Sequence, residues 1–133
     1  MKKFELTSNT KMWFGRKLFQ IKALVSFGNV KEGDLGGYIE KEENLDHDGN
    51  AWVYGNAKVY GNARVYGNAK VYGNAEVYGD AKVYGDAEVY GDARVYGNAN
   101  VYGNADYATV KGFGREFRNT TFFRCKDSSI KVV

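Results

Sequence analysis

Residues 53–106 read VYGNAK VYGNAR VYGNAK VYGNAE VYGDAK VYGDAE VYGDAR VYGNAN VYGNAD, which is nine consecutive copies of one six-residue repeat. From Ala to Tyr in each copy, the small apolar residues Ala and Val alternate with a variable, mostly charged residue and with Tyr. This is the two-residue period of a strand. Gly with Asn or Asp then supplies a corner, since both residues tolerate positive φ. Gly at every sixth position excludes a helix. The repeat predicts short strands that point Ala and Val inward and the variable residue and Tyr outward.

The charges at the variable position predict how many repeats make one coil. Identical positions of successive coils lie about 4.8 Å apart, so like charges there repel. Three repeats per coil place Glu76 between Lys58 and Arg94, whereas two repeats stack bases on bases. With three repeats, each corner Asp also lies next to an Asn. We expect a triangular coil in which Arg64 over Lys82 remains as a like-charged pair.

The same frame extends beyond the regular copies in degenerate form. It covers residues 35–112, or about four coils, with Tyr107 at the last Val position. In the first coil it assigns Val positions to Leu35, Lys41 and His47 and Ala positions to Ile39, Leu45 and Ala51. Outside the coil, one tyrosine ladder is expected on each face: Tyr54, Tyr72 and Tyr90; Tyr60, Tyr78 and Tyr96; Tyr66, Tyr84 and Tyr102.

The two ends of the chain are expected to be caps, because a solenoid must cover its unpaired strand edges. Residues 1–34 predict two or three short apolar strands, within 4–6, 12–14 and 18–27. Residues 113–133 predict a β-hairpin cap, with strands 120–124 and 130–133 around a turn at 126–129. With 133 residues, caps and repeats form one structural domain.

Composition limits the chemistry that the chain can perform. It has one cysteine, Cys125, and one histidine, His47, so we expect no disulfide, no metal site and no cofactor. The N-terminus lacks the apolar run of a signal peptide, and no stretch approaches about 18 apolar residues. We expect a soluble protein of the cytoplasm that does not contact membranes.

The net charge of +3 is unevenly distributed along the chain. Residues 1–31 carry seven bases against one acid, and residues 32–50 carry seven acids against one base. Residues 51–106 are nearly neutral, and residues 107–133 carry six bases against two acids. This layout argues against a long basic stripe that follows a nucleic-acid backbone.

The pattern aliphatic-X-X-X-small-X resembles the hexapeptide repeat of left-handed parallel β-helix proteins. That resemblance implies an all-β, left-handed parallel β-helix with three hexads per coil. Tyr at the second position of every regular copy departs from that family, which often has Gly or a small or acidic residue there. A narrower similarity, to hexapeptide-repeat proteins of bacteriophages and prophages that are often labelled transferases, rests on KLFQIKAL (17–24), GDLGGYIE (33–40), NL (44–45), GNAWV (49–53) and TFFRCKD (121–127).

Two classes of function follow from the sequence and these resemblances. Acyltransferases of the hexapeptide family use a histidine as general base, and the resemblance transfers that role at most to His47. Uniform repeats, however, do not bring unlike groups to one point, as an active site requires. We therefore expect a non-catalytic binding or assembly module, with an acyl-CoA-dependent transferase as the alternative.

The predicted binding surface lies at the C-terminal cap, where sequence and charge are least repetitive. Its residues are Arg115, Arg118 and Arg124, flanked by the tyrosines of the last coil, Tyr90, Tyr96 and Tyr102. The second choice is the N-terminal cap with Trp13 and Trp52. The phage resemblance implies a host protein as partner, as in inhibition of a host defence system; a nucleotide signal or nucleic acid is the alternative ligand. A monomer and a homotrimer both remain open.

Overall fold

The computed structural model describes residues 2–108 and 124–132, with side chains described as far as Tyr102. The described part is all-β apart from one short 3-10 helix, Glu42–Asn44. Its strands in chain order are β1 Phe4–Trp13, β2 Arg16–Ala23, β3 Leu35–Ile39, β4 Trp52–Val53, β5 Lys58–Val59, β6 Arg64–Val65, β7 Lys70–Val71, β8 Glu76–Val77, β9 Lys82–Val83, β10 Glu88–Tyr90, β11 Arg94–Val95, β12 Asn100–Ala108 and β13 Arg124–Val132.

The hexapeptide copies form a parallel β-solenoid with three hexads per coil, as predicted. Val59 pairs in parallel with Val77, three hexads later, and Val77 pairs with Val95. From Val53 to Val101, the Val and Ala side chains of the regular copies fill the interior and are completely buried. At Gly61, φ is +68° and a Cβ would lie 3.1 Å from the Gly79 nitrogen, so the stacked corners favour glycine.

Three faces surround this core, and we name each by what lies on it. The covered face consists of β3, β5, β8 and β11. The basic face consists of β6, β9 and the start of β12, and the cleft face consists of β4, β7, β10 and the end of β12.

The predicted ladders of outward side chains are confirmed. Glu76 pairs with both Lys58 and Arg94, and Arg64 lies beside Lys82. Each corner Asp accepts a hydrogen bond from the Asn 18 residues before it, at 3.2 Å for Asn62 to Asp80, 3.2 Å for Asn68 to Asp86 and 3.5 Å for Asn74 to Asp92.

The frame predicted for the first coil is wrong by two residues. Ile39 pairs with Val59 and Leu45 with Val65, so both occupy Val positions and precede their partners by one full coil plus two positions. Val53 pairs with Val71 at the regular spacing of three hexads, and Ala51 holds its predicted Ala position. The two extra residues are therefore accommodated in the corner between 46 and 51.

This wider corner also moves the three residues that were predicted at Val positions. Leu35 is exposed at the start of β3, Lys41 precedes the 3-10 helix, and His47 lies in the wide corner itself. The repeat frame, extended from the regular copies toward the N-terminus, fails because the apolar residues at 39 and 45 fit either register equally well.

The N-terminal cap is an antiparallel hairpin of two strands: β1 joins the segments predicted at 4–6 and 12–14, and β2 begins and ends earlier than the strand predicted at 18–27. β1 and β2 pair from Phe4 with Ala23 to Trp13 with Arg16, and β2 then pairs antiparallel with β3. The hairpin thus adds two strands to the sheet of the covered face and protects the first coil's edge.

At the other end, β13 pairs antiparallel with β12. The turn predicted at 126–129 lies inside this single strand, at the register shift where Gly103 pairs with Ile130 and Ala105 with Cys125. A long bulge therefore replaces the predicted turn, while residues 120–123 lie outside the described part of the chain.

Candidate functional site

The covered face is packed beneath the tip of the N-terminal hairpin. The Trp13 indole N–H donates to Glu76 Oε1 at 3.1 Å, and the Tyr60 hydroxyl donates to the same oxygen at 2.8 Å. The Lys58 ammonium lies 4.2 Å from the Trp13 ring centroid, and Arg94 Nε lies 3.9 Å from Glu76 Oε2. Lys58, Tyr60 and Glu76 are consequently only 6% exposed.

The ionisation of this face reflects its burial. Desolvation, assisted by the Glu76 carboxylate, strongly raises the pKa of Tyr60. Desolvation, assisted by the Lys11 ammonium, lowers the pKa of Lys58. The covered face thus resembles an interior more than a binding surface.

The basic face carries an exposed like-charged pair beside a regular aromatic stack. Arg64 and Lys82 are neighbours on adjacent strands and both are exposed. Within the part of the chain that has described side chains, neither of these two side chains has a hydrogen bond or an ion pair. The rings of Tyr66, Tyr84 and Tyr102 stack at 4.8 and 4.9 Å, with tilts of 5° and 2°.

A shallow depression lies at the foot of the basic face. Its volume is about 230 Å³, and its lining is Asp46, Arg64, Val65, Tyr66 and Lys82. Desolvation raises the pKa of Tyr66 against the opposing effect of Arg64, and desolvation also raises that of Tyr84. Both phenols therefore remain neutral hydrogen-bonding groups at physiological pH.

The cleft face differs from the other two in its aromatic geometry. Tyr54 and Tyr72 meet edge to face at 6.3 Å and 86°, whereas Tyr72 and Tyr90 stack at 5.2 Å and 9°. The Tyr72 hydroxyl donates to Glu88 Oε1 at 2.8 Å. Near Tyr54, this face forms one wall of a cleft against the N-terminal cap.

His47, the alternative catalytic residue, is held at both ring nitrogens. Its Nδ1 accepts the Lys3 backbone N–H at 3.0 Å, so the proton lies on Nε2, which is 3.1 Å from Glu42 Oε1. The ring stacks on Phe4 at 4.2 Å. A hydrogen bond from Lys2 is the main cause that lowers the pKa of Glu42.

Lys3 fastens this N-terminal cluster to the first coil. Its buried ammonium donates to the carbonyls of Gly49 at 3.3 Å and Ala51 at 2.8 Å, and lies 4.6 Å from the Phe27 ring centroid. Desolvation lowers its pKa to about 8. The cluster therefore has a clear structural role in fixing the wide corner.

The structure distributes the predicted tyrosines over three faces. Tyr90 lies on the cleft face, Tyr96 on the covered face and Tyr102 on the basic face, each stacked in its own ladder. Arg115 and Arg118 lie outside the described residues, and only the backbone of Arg124, the first residue of β13, is described. Their role in binding stays a prediction.

The second predicted surface, at the N-terminal cap, stays a prediction, although one of its two tryptophans is buried. Trp52 is a core residue that is 1% exposed, and Trp13 packs on the covered face. The two rings therefore do not form an exposed aromatic pair. In the sequence, Arg64 over Lys82 is visible only as a like-charged pair, and this pair is the one signal there for the basic face.

Among the residues described, no group of three or more His, Cys, Asp or Glu side chains is arranged to hold a metal ion. No helix in the described part is both long enough and apolar enough to span a membrane.

The repeats are similar to a known repeat family. Residues 57–73 and 87–103 match the YdcK beta solenoid repeat, and both segments lie within the regular coils. No curated protein matches the sequence. The repeat match and the three-hexad coil agree, and the chain is a β-solenoid protein built from hexapeptide repeats.

Proposed function

We propose that the chain is a non-catalytic binding module whose basic face contacts an acidic surface of a partner protein. The observation that carries this proposal is the exposed pair Arg64 and Lys82, adjacent on β6 and β9. Like charges on neighbouring strands cost roughly 0.2–1 kcal/mol. A local departure of this kind is typical of a functional surface, since binding can compensate for the lost stability.

The surroundings of the pair suit a protein partner. Stacked tyrosines present a rigid surface with hydroxyl donors, and Tyr and Arg are enriched at protein interfaces. The depression of about 230 Å³ is smaller than the roughly 300–1,000 Å³ of small-molecule sites. Two adjacent cations are also too few to follow a nucleic-acid backbone.

The basic face alone is too small for a stable complex. Its height and width give an area of about 300 Å², against about 800 Å² per partner in a standard interface. The C-terminal segment extends it, since the strand register places Lys131 opposite Tyr102. The predicted cap residues Arg115, Arg118 and Arg124 would contribute further positive charge to the same partner.

The resemblance to phage and prophage proteins supports a host protein in the bacterial cytoplasm as the partner, with inhibition of a defence system as the task. The acyltransferase alternative is less well supported, because both nitrogens of His47 already have partners. We expect no acyl-CoA binding at micromolar concentrations by calorimetry. A tight 1:1 site that His47→Ala abolishes would favour the enzyme instead.

The binding surface can be tested with a fluorescein-labelled decaglutamate peptide at low salt. We expect salt-sensitive binding by fluorescence anisotropy that the double variant Arg64→Gln/Lys82→Gln abolishes. The matched control, Lys22→Gln/Lys31→Gln, removes the same charge from exposed positions elsewhere and should bind normally. Equal losses in the two variants, or tighter binding of a single-stranded oligonucleotide of equal charge, would contradict the proposal.

A further inference from the structure

A cleft separates the cleft face from a turn of the N-terminal cap. The turn is closed by two backbone hydrogen bonds between Phe27 and Val30, of 2.9 and 2.7 Å. It lies against the wide corner, because a Cβ at Gly28 would be 3.5 Å from the Asn50 Cβ. The space between has a volume of about 340 Å³, and its lining is Gly28, Asn29, Asn50, Tyr54, Asn68, Lys70, Asp86 and Glu88.

Unlike polar groups converge in this cleft, which the repeats alone would not produce. The Lys70 ammonium and the side-chain amides of Asn29 and Asn50 provide donors that have no hydrogen-bond or ion-pair partner among the described residues. Asp86 and Glu88 provide carboxylate acceptors, which already bind Asn68 and the Tyr72 hydroxyl respectively. The Asp86 carboxylate can accept from a further donor, because a carboxylate has about four acceptor positions.

The mixture of groups determines the chemistry of a fitting ligand. The two carboxylates disfavour a phosphate or another anion, and the Lys70 ammonium disfavours a cation. Hydroxyl groups both donate and accept, so a neutral polyol can satisfy the amides, the ammonium and the carboxylates together. Tyr54 adds an aromatic wall, and the cleft volume lies within the range of small-molecule sites.

We propose that this cleft binds a neutral carbohydrate residue. A second depression, lined by Tyr54, Lys70, Tyr72 and Glu88, adjoins it and shares three of its residues. The surface therefore continues along the tyrosine ladder, where a second sugar ring of an oligosaccharide would lie. This site is independent of the basic face, which has neither the N-terminal turn nor the convergent carboxylates in its depression.

The test is a titration with methyl glycosides of glucose, galactose, mannose and N-acetylglucosamine, followed by protein-observed NMR. We expect saturable shifts centred on Asn29, Asn50 and Lys70 for at least one glycoside. Asn29→Ala and Lys70→Met should each weaken binding about tenfold, the effect of losing one well-made hydrogen bond.

Matched controls come from exposed positions outside the cleft. Asn56→Ala changes an exposed corner asparagine and Lys22→Met an exposed lysine of β2, and both should bind as the parent does. Thermal melting of all four variants establishes that they are folded. The proposal is overturned if no glycoside gives saturable shifts at about 50 mM, a concentration that reveals even weak sites. It is also overturned if all four variants bind equally, or if inorganic phosphate binds more tightly than every sugar.

Discussion

The covered face and the basic face are made from the same hexapeptide, yet they have opposite environments. Tyr60 is 6% exposed and donates to a buried carboxylate, whereas Tyr66, one hexad later, is half-buried in an open stack. The difference comes from the tip of the N-terminal hairpin, where Trp13 contacts Glu76 and Lys58 and Arg16 lies 5.8 Å from the Tyr60 ring centroid. The repeat thus encodes the coil, while the cap decides which face becomes interior.

The largest effect should come from removing the acceptor of the covered face. Glu76→Ala leaves the Trp13 N–H and the Tyr60 hydroxyl unsatisfied, and takes the counter-charge from Lys58. We expect a loss of about 3 kcal/mol in the free energy of unfolding, measured by urea denaturation. Glu88→Ala, at the same hexad position on the cleft face, should cost about 1 kcal/mol. Equal costs would mean that the two faces are equally open.

Uncovering the face without changing its charges should have a smaller effect. We expect Trp13→Ala to lower the free energy of unfolding by about 2 kcal/mol, because a partly buried indole and its hydrogen bond are lost. The pKa of Tyr60, measured by ultraviolet titration, should fall toward its ordinary value, because the loss of burial outweighs the loss of the Trp13 hydrogen bond, which lowers that pKa. Phe14→Ala changes a neighbour that is 80% exposed, and should cost less than about 0.5 kcal/mol.

At alkaline pH, the tyrosines of the covered face and of the basic face should contribute differently to the free energy of unfolding. Desolvation raises the pKa of tyrosines on all three faces, most strongly at Tyr60. Above about pH 10 the unfolded chain therefore holds fewer protons than the folded chain, and the free energy of unfolding should fall. Tyrosines titrate between roughly pH 9 and 12. Over this range, the free energy of unfolding measured by denaturation should fall less steeply for Tyr60→Phe than for Tyr66→Phe.

Lys3 should have the opposite effect to the tyrosines, raising the free energy of unfolding as the pH rises, and it should do so in a lower pH range. Its pKa is about 8 in the folded chain and 10.5 for a free lysine, so the unfolded chain holds more protons between these values. Its contribution to the free energy of unfolding should therefore rise from pH 8 to 10.5. Lys3→Met should remove this rise from the pH profile measured by urea denaturation, and an unchanged profile would contradict the burial of its ammonium.

The smallest effect concerns the like-charged pair of the basic face. Lys82→Glu places opposite charges side by side, and we expect the free energy of unfolding to rise by about 0.5 kcal/mol. The same variant should weaken binding of the acidic peptide. Glu88→Lys creates a new like pair with Lys70 and should lower stability instead. A stability loss in Lys82→Glu would show that Arg64 and Lys82 do not repel each other.

The sequence was most informative where its pattern was regular. Val59 over Val77 and Glu76 between Lys58 and Arg94 followed from the repeat and from Coulomb repulsion alone. The two-residue excess near His47 did not, because Ile39 and Leu45 are apolar in either frame. The contact of Trp13 with Glu76 also escaped prediction, since it joins residues 63 positions apart and periodicity says nothing about such pairs.

Hydroxyl-radical oxidation, read by mass spectrometry of tryptic peptides, tests most directly whether the hairpin makes the faces unequal. Cleavage at the repeat lysines and arginines gives separate peptides for Tyr60 and Tyr66. We predict that Tyr60 is oxidised several-fold more slowly than Tyr66 in the parent protein, and at a similar rate in Trp13→Ala. Equal rates in the parent protein, or a Tyr60 that stays protected in Trp13→Ala, would contradict the account.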